Sequence, residues 1–422
     1  MTSIAPWRPT TRVAFRFCFT YLALYSLATQ IIGSLILIPH VSFRGFGLLW
    51  PMREITFWVG RVILRIHTPL IYAGSSRDSD FYWVQAFWLL IVAIIATAVW
   101  SILDRKREHY HSLNTWFRCF VRFALAAQMF EYGMTKVIPT QFPSPSLNTL
   151  VTPLGNLSLQ GMLWTSVGAA TGYEIFTGCA ELLAGILLIV PRTALLGALI
   201  CLADMTQVFL LNMSYDIGVK MISFHLLLLT MFFLAPEVDR LAGFFIFDRA
   251  VEPVAKRATS RSRLALFAPI LFGLYLLAMQ ADVNWVYWYA EGGGRAKSPL
   301  YGVWDVQQLS IDDQTRPAVL NDYDRQWRRV IFDTPDTIVF QRIDDSFARY
   351  GVSVDVPAKT MTLSKGQSRI WTSTFSFERQ GPDDLVLIGE MDGYRIRMQL
   401  QLVGLDSFRL LNSDFRWVRP SE

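Results

Sequence analysis

The chain carries a series of apolar segments that are each long enough to cross a lipid bilayer. A transmembrane helix needs roughly 20 predominantly apolar residues, and such segments follow one another through the first two-thirds of the 422 residues. Only 17% of the residues are charged, compared with roughly 25% in soluble domains. We therefore predict a polytopic α-helical membrane protein. The predicted spans number about seven and lie at about residues 13–39, 81–103, 115–138, 171–190, 194–213, 219–236 and 264–284.

The distribution of lysine and arginine predicts the orientation of these spans. Basic residues concentrate in the loops that follow the second and sixth spans, whereas residues 139–164 contain neither Lys nor Arg. Cytoplasmic loops carry the excess of basic residues, so we expect a cytoplasmic N-terminus and an outer 139–164 loop in a bacterial inner membrane. Seven crossings also place the C-terminal region outside. The basic residues of these loops account for the net charge of +5. We therefore expect no nucleic-acid partner. The expected partner is membrane lipid.

The segment between the first two spans departs from this pattern because it contains five arginines at positions 44, 53, 61, 65 and 77. From Met52 to His67, aromatic and aliphatic residues alternate with arginines at a helix-like spacing. This pattern is typical of an amphipathic helix that lies in the membrane interface. The side of the membrane on which residues 40–80 lie stays open.

The composition changes after three consecutive glycines at 292–294. Apolar and polar residues alternate from Tyr394 to Val403, as in a half-buried strand, and the preceding Asp392-Gly393 is a strong hairpin signal. We predict an all-β soluble domain, an antiparallel barrel or sandwich. Its other strand-like segments are Val303–Ile311, Trp327–Phe332, Thr337–Arg342, Lys359–Leu363, Ile370–Phe377, Leu385–Met391 and Phe408–Val418.

Ionisable and polar residues inside the apolar segments give the main functional signal. A charged side chain costs at least about 2.5 kcal/mol at the centre of a spanning helix, so such residues normally face a bundle interior or a water-filled cavity. Glu174, Gly178, Glu181 and Gly185 fall on one helix face, where the glycines admit a close neighbouring helix. We predict one shared intramembrane pocket. Its candidate residues are Gln128, Glu131, Tyr132, Lys136, Glu174, Glu181, Asp204, Asn212, Asp216, Lys220 and His225.

Acids outnumber bases in this set, which predicts that at least one acid holds a proton. A protonatable carboxyl at membrane depth suits a proton relay or proton-coupled quinone chemistry. A structural interpretation stands beside this one. In it, Asp216–Lys220 and Glu131–Lys136 are ion pairs at the rim, the deeper acids are hydrogen-bonded between helices, and His225 only makes hydrogen bonds. We expect no metal site, because the four cysteines (18, 119, 179 and 201) lack metal-ligand spacing.

Three segments, 131–143, 181–200 and 212–229, resemble the DoxX-like membrane proteins. The match includes Glu181, the Pro191-Arg192-Thr193 turn, and Asn212, Asp216 and Lys220. The resemblance implies a four-helix membrane bundle over about residues 115–236, in a family that includes a subunit of a thiosulfate:quinone oxidoreductase. A quinone is then the candidate cofactor, and a redox subunit the candidate partner. The sequence has no redox cysteine pair and no nucleotide, haem or iron–sulfur motif, so it does not predict a self-contained oxidoreductase.

The predicted domain organisation follows from these observations. Residues 1–112 hold N-terminal spans and the interfacial helix, residues 113–240 the DoxX-like bundle, residues 241–294 a basic cytoplasmic loop with the last span, and residues 295–422 an extracytoplasmic β domain. In that last domain, Gly302 and Trp304 in the first strand and the late Arg416 resemble the G-x-W motif and arginine of lipocalins. That resemblance implies a barrel able to hold one small apolar ligand.

We expect a membrane subunit in redox or quinone-linked chemistry. In this hypothesis Lys136, Asn212 and Lys220 bind the quinone oxygens, and Glu174, Glu181 and Asp204 carry protons. The alternative is a non-catalytic, membrane-anchored scaffold, or a lipid- or small-molecule-binding protein that acts through its β domain. A proton-coupled transporter is less favoured because the sequence shows no inverted repeat of broken helices. The sequence alone does not decide whether the protein is an enzyme.

Overall fold

A computed structural model describes residues 6–39, 41, 43–72, 76–250, 263–315, 326–365, 371–412, 417 and 418, without the side chains of 263–266. The chain divides into two compact units. We call Met1–Ile138 with Gly172–Trp285 the helical unit, and Pro139–Thr171 with Val286–Glu422 the barrel unit. The predicted outer loop at 139–164 thus groups with the β domain rather than with the helices that flank it in sequence.

The helices of the described residues are α1 (Pro9–Ala28), α2 (Gln30–Gly33), α3 (Met52–Trp58), α4 (Asp80–Leu103), α5 (His111–Val137), α6 (Leu147–Leu150), α7 (Leu159–Ala169), α8 (Thr171–Ile189), α9 (Ala194–Ser214), α10 (Lys220–Leu234), α11 (Val238–Phe245) and α12 (Arg263–Ala290). Within these residues, five helical stretches are long and apolar enough to cross a membrane. They are Asp80–Leu103, Thr171–Ile189, Ala194–Ser214, Lys220–Phe245 and Phe267–Ala290. The helical membrane part of the predicted fold class is therefore confirmed.

The predicted count of about seven spans is larger than the five that qualify. The first and third predicted spans do form helices, α1 and α5, but neither is among the five. Arg12 and Arg16 lower the mean hydropathy of α1. In α5 the same effect comes from its charged residues, which are Arg118, Arg122, Glu131 and Lys136.

The predicted span at 13–39 is also not one continuous helix. After α1 ends, Thr29 takes an extended conformation with φ −110° and ψ −179°, and α2 is only four residues long. The following chain packs closely on this break, since a Cβ atom on Gly33 would lie 2.2 Å from the carbonyl oxygen of Phe43. Of the residues Met52–His67, predicted as one helix, Met52 to Ile63 are helical, as α3 followed by a π-helical turn; their location in the membrane interface stays a prediction.

Two helices of the helical unit, α5 and α8, touch through glycines. A Cβ atom on Gly178 would lie 2.7 Å from the carbonyl oxygen of Gly133 and 2.7 Å from the Cβ of Lys136. Glu174, Gly178, Glu181 and Gly185 are all buried on one face of α8, as their spacing predicts. Small residues let helix backbones approach closely in a membrane, and here they bring the acidic face of α8 against α5.

The barrel unit contains nine strands in its described residues: β1 (Gly302–Ile311), β2 (Gln314–Thr315), β3 (Trp327–Phe332), β4 (Thr337–Arg342), β5 (Phe347–Asp355), β6 (Thr360–Lys365), β7 (Trp371–Arg379), β8 (Asp384–Met391) and β9 (Tyr394–Val403). All pairings are antiparallel, and β1 pairs with both β3 and β9. Eight strands thus close into a barrel, with β2 as a short addition to β1. The predicted all-β domain is confirmed, in its barrel form.

The strand predictions fail at three places. Strands β2 and β5 were not expected: β2 has only two residues, and β5 includes Gly351 and buries only Val352 fully. The predicted strand Phe408–Val418 is not formed in its described residues 408–412, 417 and 418, which are turns, bends or irregular chain. The barrel interior is filled by apolar side chains, including the fully buried Trp304, Phe332, Phe340 and Phe375.

The glycine contact between α5 and α8 gives a stability prediction. We expect Gly178→Ala to destabilise the helical unit by about 1–3 kcal/mol, because the added methyl group overpacks two backbones. The matched control is Gly172→Ala in the same helix, where an added Cβ would meet nothing within 4 Å. It should be neutral or slightly stabilising because alanine is the better helix former. Unfolding of both variants in detergent, followed by circular dichroism, tests this; equal effects would contradict it.

Candidate functional site in the helical unit

The centre of the predicted pocket is a buried ion pair. The Lys136 ammonium of α5 bonds the Glu181 carboxylate of α8, and these side chains are only 9% and 2% exposed. Asp204 of α9 interacts electrostatically with both Lys136 and Glu181. One cation therefore faces two carboxyl groups from neighbouring helices. We call Lys136, Glu181 and Asp204 the central cluster.

The central cluster retains unused hydrogen-bonding capacity. Within the described part of the chain, Oε2 of Glu181 and Oδ2 of Asp204 are buried and have no hydrogen-bond partner. Buried polar atoms in folded proteins are nearly always paired, so such exceptions point to a proton, a water molecule or a bound group. These two oxygens can thus accept a proton, or a hydrogen bond from a donor group of a ligand.

A second polar group lies at the contact between α5 and the short α2. The Ser34 hydroxyl, just after α2, donates to Glu131, and the Gln128 side-chain amide donates to Ser34 and also to Glu131 at 3.1 Å. Gln30 of α2 donates to the Tyr132 hydroxyl at 2.8 Å and to Gln128 at 3.3 Å. The predicted Glu131–Lys136 ion pair is not formed, because Glu131 is engaged by neutral donors.

Tyr132 connects this second group to the central cluster. The Lys136 ammonium nitrogen lies 5.9 Å from the centre of the Tyr132 ring, and the Tyr132 hydroxyl interacts electrostatically with both Glu131 and Glu181. Four of the predicted residues on α5 therefore join with Glu181 and Asp204 into one continuous polar interior. These six residues are the predicted candidates that the structure brings together.

His225 of α10 has a hydrogen-bond partner at each ring nitrogen. Its Nδ1 lies 2.7 Å from the Met221 carbonyl oxygen, and its Nε2 lies 2.8 Å from the hydroxyl of Tyr21 in α1. The Tyr25 ring stacks on the imidazole, with centroids 3.5 Å apart. These contacts match the structural interpretation of His225.

The remaining candidates at the α9–α10 turn stabilise the turn itself. Asn212 donates to the Ser223 hydroxyl at 3.0 Å, and Lys220 donates to Asp216 at 2.7 Å, as predicted. This hydrogen bond lowers the pKa of the Asp216 carboxyl, which is 86% exposed. The carboxylate of Asp78 accepts hydrogen bonds from the backbone of Lys220 at 2.7 Å and of Met221 at 2.9 Å. It satisfies two of the free N–H groups at the start of α10.

Glu174 is fully buried in the first turn of α8. Three further polar residues, Gln30, Ser34 and Asp78, were not among those predicted from the sequence. These three residues lie far in sequence from their partners, and no local pattern marks them. Among the described residues, no group of three or more His, Cys, Asp or Glu side chains is placed to hold a metal ion.

The lipocalin-like motif of the barrel unit is partly visible. Gly302 begins β1 with a φ of +150°, a conformation that favours glycine, and the Trp304 indole donates to the Leu300 carbonyl oxygen at 3.0 Å. The predicted Arg416 lies outside the described residues. The guanidinium carbon of Arg379 in β7 lies 5.8 Å from the centre of the Trp304 ring, a contact that the sequence did not predict.

The chain is 35% identical over 127 residues to the uncharacterized protein YwoB of Bacillus subtilis (strain 168). The alignment covers 29% of this chain and 79% of YwoB. The chain belongs to the YwoB family. The name YwoB states no activity, so this family membership does not identify a reaction. No family model matches the chain, and no solved structure matches it.

The central ion pair gives a prediction for this member of the YwoB family. Lys136→Met and Glu181→Leu should each destabilise the helical unit by about 3–5 kcal/mol, because each leaves one buried charge without its partner. The double variant should lose much less stability than the sum of the two single losses, since both charges are then absent. Equilibrium unfolding in detergent measures the coupling. Asp216→Asn is the exposed control and should cost less than about 1 kcal/mol, because an exposed ion pair contributes little to stability; additive single effects would contradict the buried pair.

Proposed function

We propose that the protein is a DoxX-like membrane subunit in redox or quinone-linked chemistry, and that the central cluster moves a proton. The observation that carries the proposal is the enclosure of one lysine with two carboxyl groups in a membrane-spanning helical unit. Two ionised carboxylates in a low-dielectric interior repel each other and are not both neutralised by one cation. The cluster is therefore most stable with one extra proton, which either carboxyl group can take.

The neighbouring groups suit the binding of a quinone headgroup. Tyr132, Gln30 and Lys136 offer hydroxyl, amide and ammonium donors beside the central cluster, and quinone carbonyl oxygens accept such donors. Reduction of a quinone to a quinol needs two electrons and two protons. The central cluster supplies a proton path, and a partner redox subunit supplies the electrons.

The contacts of the predicted residues support a smaller set of roles than the sequence alone. Asn212 and Lys220 have partners at the α9–α10 turn, so we assign the oxygen-binding role to Lys136 together with Tyr132. Glu181 and Asp204 keep the role of proton carriers. We assign no role to Glu174 in this proposal.

Neutral substitutions of the two acids test this function. We expect Glu181→Gln and Asp204→Asn, in the complex isolated from its native membrane, to reduce quinone reduction at least about a hundredfold, the lower end of the range for losing a general acid. Quinone binding should weaken as well. Turnover with an added quinone and displacement of a bound quinone analogue are the two measurements.

The matched control is Asp216→Asn, which removes an exposed acid of the same chemistry. Its turnover should equal that of the unmodified chain. Unchanged binding and turnover in both Glu181→Gln and Asp204→Asn, with the variants still folded, would refute the proposed role of the central cluster.

We further propose a bacterial inner-membrane location with the N-terminus in the cytoplasm and the barrel unit in the periplasm. The excess of basic residues in the loops after α4 and α11 supports this orientation. It requires α1 and α5 to cross the membrane together with the five apolar stretches. Neighbouring helices can enclose the charged residues of α1 and α5, which lowers the cost of placing these residues in the membrane.

Cysteine labelling tests the orientation. All four native cysteines lie in the helical unit, and the exposed one is Cys179. In a Cys179→Ser background, Glu378→Cys on β7 should react with a membrane-impermeant maleimide added to spheroplasts. Arg249→Cys, after α11, should react only once the membrane is permeabilised. The reverse pattern would place the barrel unit in the cytoplasm.

The alternative function through the barrel interior has less support. Trp304, Phe332, Phe340 and Phe375 occupy that interior and are almost fully buried. A ligand inside the barrel would have to displace them. This favours the helical unit as the place of any redox-linked activity.

A further inference from the structure

The outer surface of the barrel carries a cavity of about 490 Å³. It lies wholly within the barrel unit, between the segment 143–165 and residues of the barrel wall such as Asp333, Thr337 and Arg349. Small-molecule sites typically enclose about 300–1,000 Å³. The cavity is therefore large enough for a ligand and is separate from both the filled barrel interior and the central cluster.

The walls of this outer cavity are held in place by specific contacts. The carboxylate of Asp333 forms an ion pair with Arg295 at 2.8 Å and accepts a hydrogen bond from the backbone of Leu147 at 3.2 Å. Gln341 of β4 donates to the Val151 carbonyl oxygen at 3.2 Å. Leu147 and Val151 also pack on Val303, Ile331 and Val339 of the outer barrel face. A site fixed in this way loses little freedom when a ligand binds.

The cavity presents mostly hydrogen-bond acceptors. Oδ1 of Asn148 is buried and has no hydrogen-bond partner among the described residues. Several lining hydroxyls already donate elsewhere, as Thr165 does to the Gly161 carbonyl oxygen at 2.8 Å and Thr334 to Asp336 at 2.7 Å. Their oxygen lone pairs stay available to a ligand. The lining carboxylate of Glu291 adds a further acceptor.

An aromatic ring and two arginines also line the cavity. Trp164 lines the cavity, and its ring is supported by Phe142, with centroids 4.8 Å apart. Arg295 is paired with Asp333, whereas Arg349 is exposed and makes no ion pair among the described residues. An indole face, several acceptors and one guanidinium donor fit a ligand with many hydroxyl groups and one apolar face.

We propose that this outer cavity binds a polyhydroxylated ligand of the carbohydrate class. Sugar hydroxyls donate to Asn148 and to the hydroxyl oxygens of the wall, Arg349 donates to a sugar oxygen, and the apolar face of a sugar ring packs on Trp164. A simple anion fits less well, because the acceptor oxygen of Asn148 and the charge of Glu291 oppose it. The site is independent of the proposed redox role of the helical unit.

Binding of defined glycans to the full chain in nanodiscs tests the proposal. The probes are maltotriose, lactose and N,N′-diacetylchitobiose at millimolar concentration, each supplied free in one arm and attached to a lipid in the nanodisc in the other. Saturation-transfer NMR detects the free glycans, and surface plasmon resonance against the glycan-bearing nanodisc detects the lipid-linked ones. Binding in the first arm identifies a soluble saccharide, and binding in the second alone a glycolipid headgroup.

Two variants locate the binding. Asn148→Leu removes the unpaired acceptor and should weaken binding about three- to tenfold, the range expected for one hydrogen bond, while thermal stability is kept or raised. Trp164→Ala should weaken binding at least about tenfold because it removes the stacking surface. If Asn148→Leu weakens binding while thermal stability is kept or raised, Asn148 contacts the ligand. A purely structural role would instead lower stability together with binding.

The matched controls are Asn156→Leu and Trp417→Ala, which change exposed residues that do not line the cavity. Both should bind as the unmodified chain does. The proposal is overturned if none of the three glycans binds in either arm, or if binding persists unchanged in Asn148→Leu and Trp164→Ala.

Discussion

The buried ion pair between Lys136 and Glu181 exists because α5 and α8 approach each other at backbone distance. Gly133 and Gly178 leave no side chain between the two helices, so the lysine stem crosses directly to the neighbouring carboxylate. Removing two charges from water is costly, and only a close, well-placed partner offsets that cost. Asp204 then adds a second carboxyl group to an interior that holds one cation. The glycine contact, the ion pair and the excess acid together support the proton site that we propose for the helical unit.

Several features of this arrangement could be predicted from local sequence patterns. The spacing of Glu174, Gly178, Glu181 and Gly185 places them on one face of α8, and all four are buried there. The Asp392-Gly393 turn and the alternation after it predict the β8–β9 hairpin, and β9 has the predicted bounds. These predictions succeed because helix and strand periodicity follow from backbone geometry alone.

Other features depend on tertiary contacts that no local pattern records. Ser34 contacts Glu131 across 97 positions of sequence, and Asp78 contacts the backbone of Lys220 across 142. No proline marks the break at Thr29 between α1 and α2. The glycines that pack closely around this break become evident only in the fold. Strand β5 is half exposed and so lacks a clear apolar alternation. The grouping of residues 139–171 with the barrel depends on contacts such as Gln341 with Val151, which pair distant segments of the chain.

Infrared difference spectroscopy of the carboxyl groups tests the central claim most directly. In nanodiscs at neutral pH, the unmodified chain should show a C=O stretching band from a buried, protonated carboxylic acid that shifts on exchange into deuterated water. Both Glu181→Gln and Asp204→Asn should remove or shift this band, because the two groups share one proton beside Lys136. A spectrum with only ionised carboxylates, or a protonated band that neither substitution alters, would contradict an enclosed proton site between α5, α8 and α9.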